Sequence, residues 1–150
     1  MGVREPNEGE FPQVQRSRLD LVSCIPASSL GLDEYQRLSE YTMNLTNQTE
    51  AEQLSNVALG LAGEAGEFAD AVKKHLHHGH DLDVEHLRKE LGDLLFYLQW
   101  GCVRCGTTLG EVAKGNLVKL ATRYPAGFSK QASIERKDML PEAKAYDAQK

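Results

Sequence analysis

The stretch from Thr49 to Gly79 constrains the fold more than any other part of this chain. Its apolar residues recur every three or four positions, which is the spacing of one helical face. Thr49 and Glu52 match the capping-box pattern that starts a helix, and Gly79 is the residue type that ends one. The pattern predicts a helix of about thirty residues whose stripe must be buried against other elements. The stripe consists of Leu54, Val57, Ala58, Leu61, Ala65, Phe68, Val72 and Leu76.

Three further helices are predicted around this one. "GLDEYQRLSEYTMN" begins at a glycine cap and carries its apolar stripe from Leu32 to Thr42 or Met43. A long helix follows "HDLD" and ends before Gly106, and a last one begins at the capping box "TLGE" and ends at Pro125. No segment predicts a strand. We therefore expect an all-α bundle of four to five helices, and the apolar excess on single helices predicts that oligomerisation completes it.

The ends of the chain differ from its centre. Residues 1–30 are polar and hold three of the five prolines, so they predict an N-terminal arm. Residues 31–129 form the predicted domain, and residues 130–150 form a polar C-terminal tail, which is either a short helix near residues 135–144 or disordered. A chain of 150 residues needs no second domain.

Charge and hydropathy exclude several classes of protein. The formal net charge is -5, which disfavours nucleic acid as the partner. No run of 18 apolar residues predicts a membrane span, and the N-terminus lacks the apolar core of a signal peptide, so we expect a cytoplasmic protein without a membrane partner. The odd number of cysteines favours free thiols, and the helical stripe predicts Cys102 and Cys105 as core residues.

Two pairs of acids carry the candidate chemistry. Glu64 and Glu67 lie three residues apart on one long helix, and Glu90 and Asp93 have the same spacing on the next. Each pair spans about 60° beside its apolar stripe, so four carboxylates converge where the helices meet. Oxygen ligands that repel one another favour Mg²⁺, with Mn²⁺ as an alternative, whereas a di-iron site would require histidine in the pairs. Acids on a solvated face are the simpler alternative.

The last long helix adds a possible grip for phosphate. Asn116, Lys119 and Arg123 fall within about 60° of one another on one face. Two cations and an amide beside a metal site suit the oxygens of a nucleotide. Trp100, and Tyr97 beside it, could stack on a base, although aromatic residues at helical spacing usually pack.

Small residues between the acids suggest close packing. Gly60, Gly63 and Gly66 each weaken a helix by about 0.5–1 kcal/mol relative to alanine, so we expect them to let neighbouring backbones approach. The histidine-rich segment "HLHHGH" crosses the predicted helix end, which scatters its side chains and favours a solvated turn.

These motifs together resemble a known family. The spacing E64-x-x-E67, then 22 residues, then E90-x-x-D93 is similar to the signature of the MazG-type all-α nucleoside triphosphate pyrophosphohydrolases, whose relatives include dimeric dUTPases. "ALGLAGEAGEFADAVKK", "KELGDLLFYL" and "NLVKLATRYPAGFS" extend the resemblance over residues 32–129.

The resemblance implies hydrolysis of a nucleoside triphosphate between the α and β phosphates. It implies Mg²⁺ ligands at Glu64, Glu67, Glu90 and Asp93, with Glu64 or Glu67 accepting the proton of the attacking water. It also implies phosphate or nucleotide contacts at Asn116, Lys119 and Arg123, in a homodimer or homotetramer. A nucleotide-binding regulatory or sensor protein with little turnover is the alternative, and a purely structural bundle is a second one.

Overall fold

The computed structural model describes residues 22–43 and 47–139. These residues belong to two compact units that divide after Gly31. The described part of the first unit holds one 3₁₀ turn, Ala27–Ser29, and most of the predicted arm lies outside the described residues. The helices and side chains of the candidate site belong to the second unit, which begins at Leu32.

The second unit is built from helices, which confirms the predicted all-α class. Within the described residues the only β-type pairing is an isolated bridge between Pro125 and Gly127. No described helix combines the length and hydrophobicity needed to span a bilayer. The five α-helices are α1 (Leu32–Ser39), α2 (Glu50–His78), α3 (Val84–Arg104), α4 (Leu109–Arg123) and α5 (Lys130–Glu135).

The ends of α2 and α4 follow from local side-chain chemistry. The Thr49 hydroxyl accepts from the Glu52 backbone N–H while the Glu52 carboxylate accepts from the Thr49 N–H, and the same exchange joins Thr108 to Glu111. Gly79 ends α2 with φ +75°, a conformation that few other residues adopt. The predicted starts of both helices and the predicted end of α2 are therefore confirmed.

Helices α2 and α3 form an antiparallel hairpin with a regular register. Arg104 Nη1 donates to Gln53 Oε1 at one end of the pair, and the Tyr97 ring lies against Gly60 further along. From Gln53 to Gly60 is seven residues, and from Arg104 back to Tyr97 is also seven. Equal steps along both helices fix which residues face each other, and this register governs the site.

Helix α1 packs on the start of α4 through hydrogen bonds. The buried Gln36 side chain accepts from the Leu109 backbone N–H at 2.7 Å, and Asp33 Oδ1 accepts from the Gly110 N–H at 2.8 Å. These N–H groups have no partner within their own helix, so α1 caps α4 from outside.

The hydrophobic core of a single chain is small. Among the described apolar residues, only Val57, Trp100, Cys102 and Leu109 are buried. Large side chains of the predicted stripes stay exposed, including Leu54, Leu76 and Leu117. A stripe of this length that is left half uncovered is typical of a helix with a further packing partner.

Two predicted helix bounds are wrong. Helix α1 ends at Ser39 and continues only as a 3₁₀ turn, Glu40–Thr42. In the tail, the Ser129 hydroxyl accepts from the Ala132 N–H and starts a helix at Lys130. Arg136 ends it at φ 50°, so the described residues 136–139 do not continue this helix as predicted. The last five positions of the predicted helix at 135–144 lie outside the described residues.

The packing predicted for three residues is also wrong. Cys105 is exposed because it stands beyond the last turn of α3, where the helical stripe no longer applies. Among the described residues, a side-chain carbon at Gly63 or Gly66 would meet no atom within 4 Å apart from its own backbone surroundings, so neither glycine serves close packing there. Gly60 alone of the three has a close neighbour, and this neighbour is the Tyr97 ring and not the predicted backbone.

Candidate active site

Three carboxylates from α2 and α3 meet on one side of the hairpin. Glu64, Glu90 and Asp93 each offer an oxygen, and these oxygens lie within 4.8 Å of one another. The hairpin register explains the meeting, since Glu64 is four residues after Gly60 and Asp93 is four residues before Tyr97. Glu90 is buried, Glu64 is half-buried and Asp93 is exposed, so the cluster opens to solvent on the Asp93 side.

The surroundings of the cluster disfavour the state in which all of its carboxyl groups are ionised. The pKa of Glu64 is raised first by burial, then by a hydrogen bond with Glu90 and by the negative charges of Asp93, Glu67 and Glu90. A carboxyl group whose pKa is raised by burial and by neighbouring carboxylates is stabilised in its charged form by a nearby cation. The only groups offered are carboxylate oxygens, which are the ligands that hard divalent cations prefer. The residues present therefore fit Mg²⁺ or Mn²⁺.

Glu67 lies beside this cluster and not within it. It is exposed and lines an open cavity of about 440 Å³ at the turn between α2 and α3. Asp70, in the same cavity, has its pKa lowered to about 2 by hydrogen bonds from Lys73 and Lys74. The other lining residues are Ala62, Gly63, Gly66, Ala71, Lys74, His80, Asp81, Asp83 and His86. The open space over Gly63 and Gly66 is thus part of this cavity.

Two neighbours of the cluster come from outside the predicted acid pairs. His86 Nδ1 lies 3.2 Å from Glu90 Oε1, one helical turn away. Tyr35 on α1 is half-buried, and its pKa is raised by that burial and by the negative charge of Asp93. The sequence analysis missed His86, although its spacing of four residues from Glu90 is the signal that finds such a neighbour.

An aromatic layer borders the carboxylates one turn further along the hairpin. The Tyr97 and Trp100 rings are nearly parallel, with centroids 6.2 Å apart and an angle of 14°. Trp100 is buried, and its indole nitrogen has no hydrogen-bond partner among the residues that the structure describes. Trp100, the residue predicted to contact the base, therefore lies inside the bundle and close to the acid cluster along α3.

Asn116 and Lys119, which belong to α4, lie against a different side of α3 from the carboxylates. Both are exposed and line a groove of about 490 Å³ together with Leu95 and Leu98. At 100° per residue, Leu95 and Leu98 point about 200° and 140° away from Asp93 around the helix. In a single chain, the groove of Asn116 and Lys119 therefore lies on a different side of α3 from Asp93.

Arg123 has a partner that the sequence analysis did not identify. Its Nε and Nη2 donate to the two carboxylate oxygens of Asp138 at 2.7 and 2.6 Å. The Asp138 side chain is only 2% exposed, and Arg136 Nε approaches it at 3.9 Å. This pair ties the segment after α5 to the end of α4, and it occupies the paired donors with which an arginine grips a phosphate.

Comparison with known proteins decides the family. The family model described as "MazG nucleotide pyrophosphohydrolase domain" matches residues 52–128, which is about half of the chain and includes all four predicted ligands. The chain belongs to this MazG family. The MazG domain is also similar to "Gene 37 protein" of Mycobacterium phage L5, with 38% identity over 80 residues, 51% of this chain and 70% of the phage protein. No solved structure matches the chain.

Family membership confirms the resemblance seen in the sequence. It identifies the MazG domain as a hydrolase of the nucleotide pyrophosphohydrolase class, and the helices of the second unit agree with that assignment. The acid cluster adds a group of side chains suited to a divalent metal, as such hydrolases use.

Proposed function

We propose that this MazG domain hydrolyses a nucleoside triphosphate between its α and β phosphates, which yields a nucleoside monophosphate and pyrophosphate. The proposal includes a requirement for Mg²⁺, for which Mn²⁺ can substitute. One observation carries it: Glu64, Glu90 and Asp93 bring carboxylate oxygens within 4.8 Å of one another inside the family's own domain. The proposed domain covers residues 31–129.

The carboxylates of the chain have different proposed roles, which are metal binding and proton acceptance. Glu64, Glu90 and Asp93 hold the cation, and Glu67 completes the set from the adjoining cavity. A bound divalent cation supplies charge neutralisation for phosphate oxygens and lowers the pKa of a water molecule. Glu67 is exposed beside the cluster and is our first choice to accept the proton of the attacking water, with Glu64 as the second. Trp100 remains the proposed contact for the base.

The residues of α4 contribute through oligomerisation. We propose that Lys119 and Asn116 bind phosphate oxygens at the carboxylates of another copy, because within one chain they line a separate groove. Arg123 joins them only through the donors that Asp138 leaves available. The proposal thus makes the active site a property of a homodimer or homotetramer.

Exposed apolar surface supports this assembly. Leu54, Leu98 and Val112 are exposed and line an apolar cavity of about 320 Å³ between α2, α3 and α4. Burying such leucines against a second copy stabilises an oligomer by about 25 cal/mol per Å² of apolar surface. The net charge of -5 disfavours nucleic acid as a partner, and the three free cysteines support a cytoplasmic, reducing location.

A substrate panel tests the proposed reaction. Purified protein with Mg²⁺ is given canonical, deoxy, uracil-containing and oxidised nucleoside triphosphates. The amounts of pyrophosphate and nucleoside monophosphate that are released are then measured, and we expect them to be equal. Reaction in ¹⁸O-labelled water then shows which phosphorus was attacked, because the label enters only one of the two products. We expect activity on at least one triphosphate and none in excess chelator.

Matched variants separate the acid cluster from general charge effects. Glu64→Gln removes one cluster carboxylate, whereas Glu85→Gln removes an exposed carboxylate on the same hairpin that pairs with Arg88. Activity lost in the first variant and kept in the second supports the proposal. Release of inorganic phosphate in place of pyrophosphate contradicts it, and binding without turnover across the panel favours a nucleotide sensor.

A further inference from the structure

His86 is the one titratable side chain outside the predicted acid pairs that the structure brings into polar contact with a cluster carboxylate within the described residues. Its Nδ1 lies 3.2 Å from Glu90 Oε1, and the Glu90 side chain is only 7% exposed. We infer that His86 is a positioning residue, which holds the buried Glu90 carboxylate in the orientation that binds the divalent cation. This inference rests on the proposed function for the cation itself.

The chemistry of the contact sets its direction. An ionised carboxylate only accepts hydrogen bonds, so the 3.2 Å contact is favourable when Nδ1 of the His86 ring carries a proton. Both the neutral ring with that proton and the protonated ring satisfy this condition, so the contact does not depend on the charge of the histidine. With Oε1 engaged, the Glu90 carboxylate cannot rotate freely, and its other oxygen is left for the cluster.

His86 is itself fixed by the start of α3. Its backbone N–H donates to Asp83 Oδ1 at 3.0 Å, and Asp83 is the residue that caps the helix. The ring then spans one turn to reach Glu90, which is the spacing at which helical side chains meet. Asp83 and His86 therefore form a continuous path from the helix start to the cluster.

A fixed carboxylate matters more here than at an exposed site. Glu64 and Asp93 place carboxylate oxygens within 4.8 Å of a Glu90 oxygen, so without a second restraint their like charges would push the Glu90 side chain away from the cluster. Hydrogen bonds to metal-binding carboxylates typically raise metal affinity 10- to 100-fold, because they hold the ligand in place before the metal arrives. The His86 ring supplies this restraint from the side of the cavity at the turn.

Metal binding without nucleotide tests the inference. Mn²⁺ is titrated into the nucleotide-free protein and the free ion is followed by electron paramagnetic resonance. We expect His86→Leu to weaken Mn²⁺ binding about 10-fold or more. His86→Asn keeps an N–H donor near the position of Nδ1, so it should bind within about threefold of the wild type. His77→Leu, at the exposed last turn of α2, is the matched control and should leave affinity unchanged.

Each result supports or overturns the inference. Wild-type affinity in His86→Leu overturns it, and so does an affinity in His86→Asn as weak as in His86→Leu. Circular dichroism in chelator checks folding, and His86→Ala replaces His86→Leu if the leucine variant fails to fold. Failure of the wild type to bind Mn²⁺ contradicts the proposed cation as well, whereas wild-type binding with no effect at His86 leaves the proposed function standing.

Discussion

The Tyr97 ring lies where the first side-chain carbon of any residue other than glycine at position 60 would stand. Three atoms of the ring overlap that position, and the ring also stacks with Trp100. The glycine is therefore required by a contact between α2 and α3, one turn from the carboxylate cluster.

Gly60→Ala tests this contact. We expect it to lower the free energy of unfolding by about 1–3 kcal/mol, because the Tyr97 ring must move within a packed layer. Alanine has a better helix propensity than glycine by about 1 kcal/mol, which acts in the opposite direction. A measured loss in the free energy of unfolding would therefore underestimate the cost of moving the ring. Urea denaturation measures the change. The control is Gly63→Ala, where nothing lies within 4 Å and a gain of about 0.5–1 kcal/mol is expected. Equal effects at both positions would contradict the packing argument.

Glu64→Gln separates stability from metal binding. Without metal at pH 7, we expect its melting temperature to equal or exceed that of the wild type, because the raised pKa of Glu64 reflects burial and repulsion by its neighbours. With Mn²⁺ at 100 times its dissociation constant, the wild type gains about 2.7 kcal/mol and the variant gains much less. Thermal shift measurements in chelator and in Mn²⁺ decide the matter. A large loss of metal-free stability would make Glu64 a structural residue.

Asp138→Asn tests the link between α4 and the segment after α5. The hydrogen bonds from Arg123 lower the pKa of Asp138 below its usual value of 3.8. A lowered carboxyl pKa stabilises the folded state above the unfolded value, and that stability is lost as pH falls through the folded pKa. We expect the variant to be less stable than the wild type at pH 7, and the difference to shrink below about pH 4. A difference that stays constant between pH 7 and pH 3 would contradict an ionic role.

Mixed oligomers test whether one active site uses two copies. Lys119→Ala and Glu64→Gln should each lower kcat/KM, the former by about 10²-fold and equally for all accepted triphosphates. Refolding equal amounts of the two variants together should restore about a quarter of wild-type activity in a dimer, since half of the dimers would then contain one intact site. No recovery after confirmed subunit exchange would mean that each site takes Lys119 and Glu64 from the same chain, and would contradict the shared site.

The parts of the fold that sequence predicts are those decided by neighbouring residues. Thr49 with Glu52, Thr108 with Glu111, and Gly79 mark helix ends because their bonds close within one turn of the chain. The meeting of three acids also follows from spacing, since two pairs on adjacent antiparallel helices need only the correct register. These features can be predicted without any knowledge of the tertiary packing.

Other features depend on partners distant in the sequence or on space around the helix. Nothing near Arg123 indicates Asp138, because fifteen residues and a helix separate them. Gly63 and Gly66 are glycines on the same helix as Gly60, and the sequence does not distinguish them. Only Gly60 faces a ring across the hairpin. Whether Lys119 serves the carboxylates depends on the face of α3 that it covers, which its own periodicity does not specify.

The register of the α2–α3 hairpin limits where the length of this MazG domain can change. One residue inserted between Gly60 and Glu64 would leave Gly60 under Tyr97 but turn Glu64 by about 100° around the helix, out of the cluster. A residue added to the turn between His78 and Val84 would leave the facing pairs as they are. We therefore expect evolutionary insertions and deletions to accumulate in that turn, while the distance from Gly60 to Glu64 stays constant among relatives.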